Sequence, residues 1–164
     1  MTNTHELDQE AIETVRKLIK GIDIAMLTSV TKQGLVSRPM KTQEVEFDGD
    51  LWFMTMKDTN VYDELVNYPN VNVAYAGKSY VSIRGEAELV NSRDKIKEFW
   101  NIAYEKMLKT TSDDPNLILI KVKADTAEYW EMGNWTKVVK EIINKLTGKK
   151  SEESDINQVV DLSN

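Results

Sequence analysis

Residues 24–55 read IAMLTSVTKQGLVSRPMKTQEVEFDGDLWFMT. Apolar and polar side chains alternate in three segments of this stretch, as they do in half-buried strands: IAMLTSV (24–30), LVSRPMKTQEVEF (35–47) and LWFMT (51–55). Turns that contain Gly34 and Asp48-Gly49-Asp50 separate the segments. Connections this short cannot join parallel strands, so the stretch predicts an antiparallel meander.

The flanking sequence extends this meander and adds helices. Periodicity and capping residues predict helices near 6–20, 61–67, 92–107 and 136–146, and strands at 71–76, 80–90 and 117–132. A slip in the alternation predicts a β-bulge at Gly85, and the last strand is either continuous or kinked near Ala124-Asp125. Roughly six or seven locally connected strands predict a mainly β fold, a small β-barrel with peripheral helices. We expect one domain over residues 1–148 and a polar, mobile C-terminal tail over 149–164.

Composition narrows the possible functions. The chain has 164 residues, 41% hydrophobic and 29% charged, as in globular domains. It has no cysteine and a single histidine, His5, which excludes thiolate metal sites and argues against any histidine-based metal site or catalytic triad. The net charge of −6 repels nucleic acid. The polar start of the chain and the lack of a long apolar run predict a cytoplasmic protein that does not insert into membranes.

Two features could bind an anion. Arg38-Pro39 interrupts a predicted strand, because proline removes a backbone donor and marks an edge or an exposed position. Arg38 is then either a solvated surface residue or part of an anion site. The loop TMKDTN (55–60) joins a strand to a helix, where amide groups, the helix dipole and Lys57 suit a phosphate. The alternative is an ordinary polar loop with an N-capped helix.

Two tryptophans lie near the end of the last predicted strand. Trp130 and Trp135 flank the sequence EMGN. Tryptophans at such positions are either core or interface residues, because burying their large area is favourable, or contacts for a cofactor.

The order and spacing of four segments resemble the pyridoxamine 5′-phosphate oxidase-like family, in particular its general stress protein 26 branch. The segments are TSVTKQGLVSRPM (28–40), LWFMTMKDTNVYDELVNYPNVNVAYA (51–76), YVSIRGEAELV (80–90) and DDPNLILIKVKADTAEYWE (113–131). The resemblance implies an FMN-binding split β-barrel that forms a homodimer with two flavin sites at the subunit interface.

The resemblance also assigns cofactor-binding positions. It implies that Arg38 reaches the flavin phosphate, with Pro39 and Met40 along the ring or ribityl chain. It places the backbone of Phe53, Met54 and Thr55 against the isoalloxazine, and Thr59 and Asn60 at the phosphate. The family usually has Lys or Arg where this chain has the neutral Asn60. Either Lys57 supplies the missing cation or the phosphate is held less tightly. Trp130 and Trp135 complete the predicted set.

We therefore expect a stress-associated, FMN-dependent oxidoreductase that uses a small-molecule electron donor or acceptor. FAD is the alternative flavin. The family's vitamin B6 oxidase uses an arginine in its C-terminal segment, and this chain has none after Arg93, so pyridoxamine phosphate oxidation is not expected. The sequence names no catalytic acid or base. Two other functions stay open, a flavin carrier or sensor without turnover and a flavin-free dimeric interaction module.

Overall fold

The computed structural model describes residues 4–43, 46–131 and 157–162. The helices are α1 (Thr4–Ile19), α2 (Asn60–Asn67), α3 (Arg93–Phe99) and α4 (Ile102–Leu108). The strands are β1 (Ile24–Thr31), β2 (Gly34–Lys41), β3 (Asp50–Met56), β4 (Asn70–Ala76), β5 (Ser79–Val90), β6 (Leu117–Glu131) and β7 (Asn157–Asp161).

All seven strands form one antiparallel sheet. Its order is β2-β1-β4-β5-β6-β3, with β7 also paired to β6. The long strand β6 pairs with β5 along one edge, while its other edge pairs first with β3 and then with β7. The two end strands, β2 and β3, approach each other but are not hydrogen-bonded neighbours, so the sheet curls without closing. The prediction of a mainly β split barrel with peripheral helices is confirmed.

Two apolar clusters hold this sheet together. The larger one fills the inner face and includes Val15 from α1, Leu27, Phe53, Val73 and Ile83, all buried. The smaller one lies on the other side of β3 and β6, where α3 and α4 pack. It contains Met54, Ile96, Phe99, Tyr104, Leu117 and Leu119. Strand β3 therefore has Phe53 in one cluster and Met54 in the other, as alternation along a strand requires.

Several predicted boundaries differ from the structure. The second strand ends at Lys41 and does not continue to residue 47. Residues 92–107 form two short helices, because the backbone turns extended at Trp100 and Asn101. The C-terminal stretch is not a free tail throughout, since Asn157–Asp161 pairs with β6. The helix predicted at 136–146 and Trp135 lie outside the described residues.

The irregularity between β5 and β6 lies next to Gly85, but its extra residue is in β6. Arg84 is opposite Thr126 and Gly85 is opposite Ala124, so Asp125 has no partner in β5. Burial alternates through Gly85 without interruption, which corrects the expected slip in β5. A Cβ atom at Gly85 would lie 2.3 Å from the backbone oxygen of Lys123. The absence of a side chain at this position lets the two strands stay in contact.

Candidate functional site

The guanidinium of Arg38 is held against α2. Arg38 lies opposite Leu27 on the inner face of β2, and its Nη2 donates to Glu64 Oε2 at 2.5 Å. Its Nη1 donates to Ser29 Oγ at 2.9 Å, and Ser29 Oγ donates to Glu64 Oε2 at 2.8 Å. The Arg38 and Glu64 side chains are 19% and 17% exposed, and Ser29 is fully buried. The interpretation of Arg38 as a solvated surface residue was therefore wrong.

The loop between β3 and α2 leaves the start of the helix uncapped by a side chain. Thr59 occupies the N-cap position, but it makes no capping hydrogen bond. Its hydroxyl donates instead to the carbonyl oxygen of Met56 at 2.7 Å and lies 3.3 Å from Thr55 Oγ1. For the alternative of an ordinary loop with an N-capped helix, the structure shows an N-cap residue whose side chain makes no capping hydrogen bond. Among the described residues no side chain accepts from the first-turn amides of α2, as an anion site requires.

Strand β2 and the start of α2 share one groove. Asn60 and Glu64 are one helical turn apart on the same face of α2. Both line an open groove of about 390 Å³ that also contains Val36 and Lys32 from the β1–β2 hairpin. Arg38 lies on the same face of β2 as Val36 and binds Glu64, which is one helical turn from Asn60. The antiparallel meander therefore brings the strand arginine close to the helix entry.

Lys57 is the cation of the loop between β3 and α2. It is half-buried, and its backbone amide donates to the carbonyl oxygen of Asn116 at 2.8 Å, which fixes the loop to the segment before β6. In the part of the chain that the structure describes, its ammonium makes no ion pair. This charge remains available to a ligand.

The remaining predicted residues do not all share one surface. Met40 is half-buried on the same face of β2 as Arg38, whereas Pro39 is exposed on the opposite face. Phe53, Met54 and Thr55 are buried. Because β3 is an end strand of the sheet that the structure describes, its backbone groups on the side away from β6 pair with no described strand. The backbone of these three residues, and not their side chains, fits the role that the resemblance implies.

Trp130 lies away from the Arg38 face. It is half-exposed near the end of β6, opposite Tyr80 in β5. Burial alternates through Ala127 and Tyr129, so Trp130 belongs to the outer face of the sheet. Within one chain the structure does not bring Trp130 and Arg38 together.

Sequence patterns missed Ser29 and Glu64. Ser29 follows Ala25 and Leu27 at the inward positions of β1, so a buried hydroxyl that needs a partner could have been inferred. Glu64 stands between the buried Val61 and Leu65 in α2, and no local signal showed that it faces a strand residue 26 positions away.

A larger cavity, of about 460 Å³, lies near the end of α1 and contains none of the predicted site residues. Arg16 lines it and donates from Nε to the carbonyl oxygen of Phe47 at 2.8 Å. Tyr75 also lines it, and burial raises the pKa of its hydroxyl. The cavity gives no support to the predicted phosphate position.

The fold and the site define a class of protein. It is an open antiparallel barrel in which an arginine on one strand contacts a helix that follows another strand. The chain belongs to the pyridoxamine 5′-phosphate oxidase like family, whose model matches residues 10–152. The predicted family is thereby confirmed.

The relatives agree with this assignment. General stress protein 26 of Bacillus subtilis is 28% identical over 94 residues, which are 54% of this chain and 66% of that protein, slightly under two thirds of its length. The structure of General Stress Protein 26 from Bacillus anthracis is 26% identical, with a TM-score of 0.65 and coverage of 72% of this chain and 92% of that one. A general stress FMN/FAD binding protein from Xanthomonas citri is also 26% identical, with a TM-score of 0.65 and coverage of 77% and 92%.

No helix in the described ranges is both long and apolar enough to cross a membrane. The cytoplasmic location stays a prediction.

Proposed function

We propose that this chain binds FMN, with the phosphate between Arg38 and the start of α2. The observation that carries the proposal is the contact of Arg38 with Glu64, one turn from the start of α2, where no side chain among the described residues caps the helix. Guanidinium groups and helix N-terminal amides both bind phosphate oxygens, and Lys57 adds a second positive charge. The FMN/FAD binding protein from Xanthomonas citri, similar in fold and sequence, supports a flavin as the ligand.

The residues present fit such a ligand. Arg38, Lys57 and the first amides of α2 would hold the phosphate. Met40 and the backbone edge of β3 that faces away from β6 would contact the rest of the molecule. Bound flavin supplies hydride or electron transfer. The chain's own residues bind and orient it, and we assign no catalytic acid or base.

We also propose that the functional unit is a homodimer with flavin at the subunit interface. Large apolar side chains are exposed on the outer face of the sheet, namely Ile24, Met26, Leu35, Tyr80 and Val159. A monomer would leave this face in water, and contact with a second copy would bury it. In such a dimer the half-exposed Trp130 of one subunit would be able to approach the flavin of the other.

The visible absorption spectrum of the purified protein, with mass analysis of any ligand released on denaturation, tests the cofactor. We expect a flavin spectrum and the mass of FMN. Released FAD would leave flavin binding intact and change the ligand. If purified protein contains no flavin and neither FMN nor riboflavin binds on titration, the proposal fails and a flavin-free dimeric module takes its place.

We propose an oxidoreductase in preference to a carrier or sensor, because the flavin itself carries hydride transfer and the chain need only position the reactants. Anaerobic stopped-flow reduction of the bound flavin by NADH and NADPH, followed by a screen of quinone and small electrophile acceptors, separates the two. An oxidoreductase reduces its flavin faster than free FMN is reduced and passes the electrons on. Reduction no faster than that of free FMN with every donor would favour the carrier.

A further inference from the structure

Glu64 places a negative charge inside the Ser29–Arg38–Glu64 cluster. Its Oε2 accepts hydrogen bonds from Arg38 Nη2 at 2.5 Å and from Ser29 Oγ at 2.8 Å. Both charged side chains are less than one fifth exposed, so water and salt screen the carboxylate less than they would at the surface. The charge of Glu64 therefore acts on whatever binds beside Arg38.

The cluster adjoins the position proposed for the phosphate. Asn60, the first residue of α2, and Glu64 lie on the same face of the helix, and residues at this spacing have Cβ atoms roughly 5–6 Å apart. A phosphate held by Arg38 and the first amides of α2 would lie close to the Glu64 carboxylate. A phosphate monoester carries a charge of about −1.5 to −2 at neutral pH, so Glu64 would repel it.

The local charge balance does not offset this repulsion. Three cations lie near the start of α2, namely Arg38, Lys57 and the groove residue Lys32. Three carboxylates lie in the same loop and helix, those of Asp58, Asp63 and Glu64. Asp58 and Asp63 are exposed and screened by water, whereas Glu64 is largely buried. Asn60 contributes no charge. The helix entry thus offers a phosphate hydrogen bonds without an excess of positive charge.

We infer that Glu64 weakens phosphate binding at this site, so that the chain distinguishes poorly between FMN and riboflavin. This inference rests on the proposed flavin-binding function. Riboflavin lacks the phosphate and does not experience the repulsion, whereas FMN gains contacts to Arg38 and loses much of that gain to Glu64.

Equilibrium titration of flavin-stripped protein with FMN and with riboflavin, followed by flavin fluorescence, tests the inference. In the native protein we expect the two dissociation constants to lie within about tenfold of each other. Glu64→Gln removes the charge but keeps an oxygen that accepts from Arg38 and Ser29. It should tighten FMN binding by about tenfold or more, as expected for removing a charge roughly 6 Å from the phosphate, and change riboflavin binding by less than about twofold.

Asp63→Asn is the matched control, because it removes one negative charge from the same helix and the same groove, at an exposed position that makes no ion pair with Arg38. We expect it to change FMN binding by less than about threefold. Glu64→Met removes the charge without adding a polar group, and serves as the second variant if Glu64→Gln unfolds. Thermal unfolding of each variant checks the fold.

The possible results separate the two proposals. If charge removal at Glu64 changes both ligands equally or neither, or if Asp63→Asn has the same effect, Glu64 does not set selectivity, although flavin binding stands. A native preference for FMN above about a hundredfold contradicts the inference without any variant. If neither the native protein nor a Glu64 variant binds riboflavin or FMN, the flavin-binding function itself is wrong.

Discussion

Arg38 uses two of its five N–H donors within the described chain, one for Ser29 and one for Glu64. The others can reach a ligand, so Arg38 can hold α2 in place and bind a phosphate at the same time. The sequence left open whether Arg38 is a solvated surface residue or part of an anion site. It could not identify Glu64 as the partner of Arg38, because a contact between residues 26 positions apart does not affect local periodicity.

We predict that Arg38→Ala weakens FMN binding by tenfold or more, roughly the loss of a charged hydrogen bond and of a cation. Riboflavin binding should change much less, because only FMN has the phosphate. Fluorescence titration with both ligands measures the difference. Lys41→Ala is a suitable control, since it removes a cation from the opposite face of the same strand. Equal losses for FMN and riboflavin would refute the phosphate assignment.

Gly85→Ala should lower the free energy of unfolding by about 2 kcal/mol or more, because a Cβ atom would lie 2.3 Å from the backbone oxygen of Lys123. Neither strand can move aside without breaking the longest ladder of the sheet. Gly77→Ala is the control, because its nearest neighbour is the flexible end of the Ile22 side chain at 3.1 Å. Urea unfolding of both variants gives the comparison, and equal stabilities would show that the β5–β6 pair can adapt.

At the scale of elements, the sequence predicted most helices and strands but not the break between α3 and α4. Apolar residues continue at helical spacing from Ile96 to Met107, so periodicity alone indicates one helix. Asn101 ends it, because its side chain accepts hydrogen bonds from the amides of Ala103 and Tyr104 at 2.9 and 3.2 Å and so begins a new helix. The N-cap at Asn101 therefore starts a new helix, although the apolar residues continue at helical spacing.

The burial of Tyr104 in α4 should make the protein less stable as pH rises into the alkaline range. Burial raises the pKa of Tyr104 to about 12, although the hydrogen bond that its hydroxyl accepts from Gln43 lowers it slightly. The unfolded chain ionises near pH 10, so the contribution of Tyr104 is complete below that value and is lost as pH rises towards 12. Between pH 9 and 11 the native protein should lose about 1 kcal/mol more than Tyr104→Phe. Chemical unfolding at both pH values measures this, and parallel losses would contradict it.

At the scale of the whole molecule, short connections made the antiparallel barrel predictable, since they leave few alternative topologies. The sequence constrains the assembly less. An exposed apolar face indicates an interaction surface, but it does not identify the partner that binds there. Flavin contacts supplied by a partner, such as the proposed one from Trp130, depend on that assembly. Predicting them from one chain requires knowing how two copies meet.

We predict a mass of twice the 18.8 kDa chain by light scattering at micromolar concentration. Met26→Glu should shift the protein towards the monomer, because it places a charge within the outer apolar face, where Met26 is 41% exposed. Ile102→Glu changes a more exposed apolar residue in α4 and should leave the mass unchanged. A mass near that of one chain for the native protein would exclude the dimer and the shared flavin site.

The pairing of β7 with the second half of β6 also bears on colloidal behaviour. Without Asn157–Asp161, the backbone of β6 from Thr126 to Trp130 would have an unpaired edge, and such edges recruit strands from other molecules. A chain truncated before residue 157 should therefore keep its β3 pairing but form oligomers of irregular size on warming. Light scattering during a temperature ramp would show this, and Val159→Lys, which alters an exposed side chain but keeps the strand, should not aggregate. By pairing with this edge of β6, β7 would thus prevent fibril-like association.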